Sequence, residues 1–127
     1  MKSYLLDTHP FIWWLSNHHS LSGKVKTLLK SSLTRFYLSS ISILEIQYLI
    51  EIGKIDTNIY DIYSYIKTTE NYGILPFDEN VLLESLKITS FRDPFDRIIL
   101  STAFAYNLKL ITKDRSIHEK YPRKVIW

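Results

Sequence analysis

Five acidic residues stand where an apolar strand ends or a helix begins: Asp7, Glu45, Asp93, Asp96 and Asp114. Carboxylates in such places can converge on a divalent cation. Each one alone has a local explanation, because an acid at a helix start bonds free backbone N–H groups and meets the positive end of the helix dipole. If all converge, four or five negative charges crowd together, and their repulsion demands a counter-charge. Mg²⁺ or Mn²⁺ is the natural choice, since oxygen donors suit hard cations and the chain has no Cys to offer a soft one. Such a site activates water and stabilises the charge that builds on a phosphodiester during in-line attack, which is nuclease chemistry.

The local alternatives are specific. Glu45 lies three residues after Ser42, the spacing of a capping box. In Asp93-Pro94-Phe95-Asp96-Arg97, Asp93 can cap, Pro94 suits the first helical position and Asp96 falls in the first turn. Asp7 can cap the first helix, a role Thr8 can also fill, and Asp114 the last. Thr112 can hydrogen-bond a ligand carboxylate or a metal-bound water.

The elements that must position these residues follow from the apolar pattern. Tyr4-Leu5-Leu6 reads as a short strand, followed by a helix with Pro10 in its first turn. A second helix spans Ser20 to Ser32, a strand Phe36 to Leu38, and a long helix runs from Ser42 to a stop at Gly53. The stripe from Asn58 predicts a helix to Tyr72, then a brief extended piece over Ile74 to Phe77 and a helix capped by Asp78. Asp93-Pro94 opens a strongly apolar helix ending near Asn107, Lys109 to Thr112 forms a strand, and a short helix after Asp114 precedes an extended Lys124 to Trp127. Strands alternating with helices, without hairpin signals, predict an α/β three-layer sandwich with a central parallel sheet flanked by helices. Asp7 and Asp114 would then lie at the carboxyl edge of the sheet, where ligand sites collect.

A chain of 127 residues with 46% hydrophobic content suits a single domain over residues 1 to 127. The absence of Cys fits a reducing, cytoplasmic setting, and no run has the length of a signal peptide core or a membrane span. With three Gly residues there is no glycine-rich phosphate loop. The net charge of +3 divides into +4 over residues 1–44, −6 over 45–84 and +5 over 85–127. Basic ends around an acidic middle suit a polyanion on one surface. Lys113 and Arg115 beside the last acid, with Lys24, Lys26, Lys30, Arg35, Arg123 and Lys124, are candidate phosphate contacts. The Tyr-rich stretch from Tyr48 to Tyr72 lies in the acidic middle, where core packing or a protein interface is the better reading.

Taken in order, Leu6-Asp7-Thr8-His9 with Trp13, Leu38-Ser39-Ser40-Ile41-Ser42 ahead of Glu45-Ile46, Gly53-Lys54-Ile55, Arg92-Asp93-Pro94-Phe95-Asp96-Arg97, Ile111-Thr112-Lys113-Asp114 and the closing Tyr121 with Ile126-Trp127 resemble PIN-domain ribonucleases. The likeness is to the VapC-like toxins of prokaryotic toxin–antitoxin pairs. It implies a Mg²⁺- or Mn²⁺-dependent endoribonuclease in which Asp7, Glu45, Asp96 and Asp114 are the catalytic, metal-holding acids. On this likeness Asp93, Thr112, Thr8 and Arg97 would be accessory residues, and Lys113 and Arg115 would contact RNA. Ser42 would be able to assist as Thr112 does, with Arg97 holding the acids in place, meeting phosphate or pairing with Asp93. It also implies a homodimer and an antitoxin whose C-terminal segment fills a groove beside the acids. Phe91 departs from the His that such toxins often carry before this acidic element, which bears on substrate contacts more than on metal binding. His9 matches the family and can face the cleft or serve as a hydrogen-bonded structural residue.

Two rivals come from other classes. A receiver-type signalling domain has a similar sheet and acidic pocket, but its acceptor Asp should end a central strand, and Asp56 follows a helix stop instead. A PIN fold kept as a non-catalytic RNA- or protein-binding module is the other, and the intact acids disfavour it.

Overall fold

The computed structural model describes residues 2–91 and 93–127. Strands β1 (Ser3–Leu6), β2 (Arg35–Ser39), β3 (Tyr72–Leu75), β4 (Lys109–Ile111) and β5 (Val125–Ile126) pair in the order β3-β2-β1-β4-β5, all parallel. Helices α1 (Thr8–Leu15), α2 (Gly23–Lys30), α3 (Ser40–Glu51), α4 (Ile59–Thr68), α5 (Glu79–Lys87), α6 (Pro94–Ala105) and α7 (Arg115–Lys120) make the connections. No helix among the described residues is long and apolar enough to cross a membrane.

Parallel strands need crossover helices, so the sheet is covered on both faces and its central strands carry apolar runs such as Tyr4-Leu5-Leu6 and Leu110-Ile111. The side-chain alternation of β1 divides the core. Tyr4 and Leu6 pack with Phe11 of α1, Val25 and Leu29 of α2, Ile46 of α3 and Ile62 and Ile66 of α4. Leu5 points the other way, into Ile99, Leu100 and Ala103 of α6, Leu110 of β4 and Ile117 of α7. The result is the expected three-layer sandwich. Each fully buried aliphatic side chain contributes about 1.5–3 kcal/mol.

Every helix starts on a capping side chain: Asp7, Ser22, Ser39, Asn58, Asp78, Asp93 and Asp114. Three helices end alike. Asn17, Gly53 and Asn107 take φ of 52°, 77° and 52° after α1, α3 and α6. The N–H groups of His18, Lys54 and Leu108 then return to the carbonyls of Trp13, Leu49 and Ala103, which closes each helix with a Schellman turn.

Three boundaries differ from the sequence expectation. The helix expected from Ser42 begins at Ser40, because Ser39 at the end of β2 supplies the cap through Oγ to Ile41 N (3.2 Å). Ser42 is therefore inside α3, and Glu45 is not the partner in a capping box. The second helix, expected over Ser20 to Ser32, runs only from Gly23 to Lys30, because Ser22 caps it through Oγ to Val25 N (3.2 Å). The helix expected to reach Tyr72 stops at Thr68, and Tyr72–Leu75 pairs with Phe36–Ser39 as an edge strand. There the gain from sheet pairing overrides local helical periodicity.

Arg97 also departs from expectation. Its Nε and Nη2 donate to the carbonyl of Ser85 at 2.9 and 2.7 Å, so it braces the last turn of α5 against α6. The cation meets the negative end of that helix, and among the described residues it makes no ion pair with Asp93 or the other acids. Arg97→Met is expected to lower the unfolding free energy by about 1.5–3 kcal/mol, the usual worth of hydrogen bonds to a charged group. A chemical denaturation series checks this, and a midpoint unchanged from wild type would remove the brace from the account.

Candidate metal-dependent active site

At the carboxyl edge of the sheet, chain order reverses between β1 and β4, and the loops that leave these neighbouring strands diverge to open a crevice. A cleft of about 500 Å³ occupies this place. Asp7, Glu45, Asp93, Asp96 and Asp114 all line it, with Lys113 and Arg115 beside them. The fold therefore gathers all five acids singled out in the sequence into one cavity. Asp56, the acid a receiver domain would need, sits in the α3–α4 connection and lines neighbouring hollows instead.

The two strand-end acids are fixed through Thr112, which is fully buried. Its Oγ1 donates to Asp7 Oδ2 at 2.7 Å and accepts from Asp114 N at 3.1 Å. Asp7 Oδ1 accepts from Thr8 N at 2.8 Å. Asp114 Oδ1 caps α7 through Ile117 N (2.9 Å) and accepts from Ser116 Oγ (2.7 Å). Asp93 Oδ1 caps α6 through Phe95 N at 2.8 Å. The capping readings and the shared cleft are thus both true of these three residues: Asp93 and Asp114 spend Oδ1 on a helix start and keep Oδ2 for the cleft, while Asp7 shares its Oδ2 with Thr112.

Glu45 and Asp96 differ. Glu45 is 8% exposed, and its Oε1 has no hydrogen-bond partner. The Thr8 hydroxyl is close enough to moderate its titration, yet Thr8 Oγ1 also lacks a partner of proper geometry. A buried carboxylate oxygen left without a donor costs free energy, and a cation in the cleft would remove that cost. The acids form no closed cage, however. Among the described residues no three acidic or His side chains are drawn together as a ready coordination set.

That crowding appears in their proton affinities. Burial pushes the Asp96 carboxyl up to about 7, reinforced by repulsion from Asp7, Asp93, Asp114 and Glu45. Glu45 is raised by burial and by Asp7 and Asp93, against the lowering influence of Thr8 and His9. Asp7 is raised by burial and by Asp114, although Thr112, Thr8 and His9 oppose the shift.

Lys113 and Arg115 reach the cleft as expected, whereas Arg123 and Lys124 line a separate hollow with Phe104 and Tyr121. Arg35 is turned to the Tyr37 hydroxyl. Of the secondary candidates, Thr8 and Ser42 are buried with unpartnered hydroxyls, and His9 is exposed at the cleft wall. Arg92 lies outside the described residues. Trp13 and Pro10 line the cleft without having been given a role from the sequence. The available signal for Trp13 was its spacing of four from His9, which puts both on one face of α1.

A folded-state affinity raised above the unfolded value means that protonation stabilises the fold fully below the unfolded value, and that this stabilisation is lost as pH rises through the folded one. For Asp96 the window runs from 3.8 to about 7. Metal-free protein should therefore melt at a lower temperature at pH 8 than at pH 5.5, and Asp96→Asn should flatten that slope. Calorimetric scans in EDTA across this range check it; an equal slope in the variant would remove Asp96 as its source.

Comparison with known proteins agrees with this architecture. The PIN domain family model matches residues 4–123. Ribonuclease VapC22 of Mycobacterium tuberculosis (strain ATCC 25618 / H37Rv) is 27% identical over 131 residues, covering all of both chains. Among solved structures, VapBC2 from Rickettsia felis, bound to a DNA fragment from its promoter, superposes with a TM-score of 0.74 at 17% identity, covering 98% of this chain and 97% of its own. FitAcB from Neisseria gonorrhoeae superposes at 0.70 with 22% identity, covering 98% and 96%. With a family match over nearly its whole length and a five-stranded parallel sheet between helical layers, the chain belongs to the PIN-domain family.

Proposed function

We propose that this protein is a Mg²⁺- or Mn²⁺-dependent endoribonuclease acting as the toxin of a VapC-like toxin–antitoxin pair. The observation that carries the reading is the single cleft in which five acids meet at the switch point of the sheet, one of them with an orphaned buried oxygen. The full-length relative named a ribonuclease and the fold likeness to toxin–antitoxin complexes support it.

In this reading Asp7, Glu45, Asp96 and Asp114 hold the cation, and Asp93 adds charge while capping α6. When bound, the cation supplies an activated water and neutralises charge developing on the scissile phosphate. The chain's own residues do the rest. Thr112 holds Asp7 and the start of α7 in fixed relation, so two of the four ligands are preset by a single buried hydroxyl. Lys113 and Arg115 stand at the cleft wall, where they neutralise phosphates flanking the cut.

The same reading includes a homodimer. On α3 and its C-cap, Leu44, Tyr48 and Ile52 form an exposed stripe at intervals of four, and the Tyr48 ring lies 6.2 Å from that of Phe95 at the start of α6, tilted by 32°. On α5, Leu82, Leu83 and Leu86 are also exposed. Apolar faces of this kind on a small domain mark an association surface. The antitoxin partner is expected along the groove beside the acids.

Purified protein incubated with a mixed RNA pool should cut it only with Mg²⁺ or Mn²⁺. Asp96→Asn should lose about 100-fold or more of that activity, as removal of a key charged group commonly does. Thr112→Val should lose about 10- to 100-fold, the usual cost of a residue that orients a ligand. RNA left intact by wild type with metal bound would favour a binding module instead. Tyr48→Asp should halve the mass seen by light scattering; an unchanged mass would place any dimer contact elsewhere.

A further inference from the structure

The acidic cleft does not end at the acids. His9 and Trp13 line it on one side and on their other side line an adjoining cavity of about 650 Å³, within the range of small-ligand sites. That cavity is built by two of the Schellman turns described above. The turn after α1 brings His18 back onto the Trp13 indole, with ring centroids 5.7 Å apart and planes 22° from parallel, and His19 stacks on His18 at 4.3 Å. The turn after α3 delivers Lys54 to the opposite wall. Lys113 Nζ lies over the Trp13 ring, 5.7 Å from its centroid.

The adjoining space therefore offers planar rings with Lys54 and Asp56 on its wall, and Lys113 meets the Trp13 ring from the acidic cleft. This pairing of stacking surface with cationic side chains is the chemistry that takes single-stranded polynucleotide, whose bases stack on aromatic faces while its phosphates meet the ammonium groups. It is also continuous with the cleft through two shared residues, so one strand can occupy both.

We infer that Trp13 is a substrate-positioning residue, the floor of a nucleotide subsite in which a base next to the scissile phosphate stacks while Lys113 and Lys54 take the flanking phosphates. The inference deepens the endoribonuclease reading and rests on it for the identity of the strand. Entry of a base shifts Lys113 from the indole face to the phosphate, exchanging a cation–π contact for an ion pair. The subsite contributes grip on single strands of any sequence, since every base has a flat face.

The test is equilibrium binding of a fluorescein-labelled hexanucleotide RNA pool by anisotropy, in Mg²⁺ and in the Asp96→Asn background, so that cleavage does not consume the probe. Trp13→Leu, which keeps apolar bulk but no ring, should weaken binding about 10-fold, as expected for one lost stacked base. Trp13→Phe should stay within about threefold of the parent. Tyr60→Ala, an exposed ring in the acidic middle, should bind as the parent does. In otherwise wild-type protein, Trp13→Leu should raise KM with kcat little changed. Circular dichroism melting confirms that each variant is folded.

Equal affinity of a folded Trp13→Leu and its parent overturns the subsite, and so does failure of the parent to bind any RNA. A cavity whose variants alter only antitoxin affinity belongs to the protein partner, which overturns it as well. If RNA is cut while affinity ignores the ring, this inference falls alone. If no RNA is cut but affinity tracks the ring, the nuclease reading falls and the binding site stands.

Discussion

Mutual repulsion among carboxylates at one edge of the sheet is the constraint on which the rest of this structure depends. A parallel sheet covered on both faces places its loops at the strand ends, and the reversal of strand order between β1 and β4 leaves the one crevice where they diverge. Filling that crevice with Asp7, Glu45, Asp93, Asp96 and Asp114 is unfavourable in the absence of a cation. The fold tolerates it because each acid rides on an element stabilised by burial elsewhere: β1 and β4 by both layers of the core, α3 and α6 by their apolar faces.

Helix capping and ligand display are compatible in this arrangement, and the division of labour is legible in the hydrogen bonds. Asp7, Asp93 and Asp114 satisfy backbone donors at helix starts, which holds them oriented. Glu45 and Asp96 cap nothing. Burial and neighbouring charge raise the proton affinity of both, and Glu45 keeps an unpartnered oxygen. Asp7 is raised as well, so the crowding of negative charge reaches β1, α3 and α6 together.

Much of this was legible in the sequence, because the informative features are local. A strand that ends in Asp7 and a helix opened by Asp93-Pro94 announce themselves through short apolar runs and turn chemistry, and the alternation of elements specifies a parallel sheet. The errors came from interactions that no local pattern contains. Ser42 and Glu45 have capping-box spacing, but Ser39, buried at the end of β2, caps α3 first. Tyr72 fits the helical stripe of α4, but pairing with β2 draws it into the sheet. Arg97 stands next to the acids in sequence, whereas its side chain leaves along α6 for a carbonyl twelve residues upstream. Trp13 joins the cleft to its neighbour only through turns that fold His18 and Lys54 back toward it.

The central claim is that the acids constitute a divalent-cation site whose occupancy replaces bound protons. Titration calorimetry of Mn²⁺ into metal-free protein near pH 6.5, repeated in two buffers of different ionisation enthalpy, tests it directly. The account predicts binding whose heat depends on the buffer, because the proton held at Asp96 is released, and loss of that dependence in Asp96→Asn. Absence of Mn²⁺ binding by the wild-type protein, or binding with the same proton release in the variant, would contradict it.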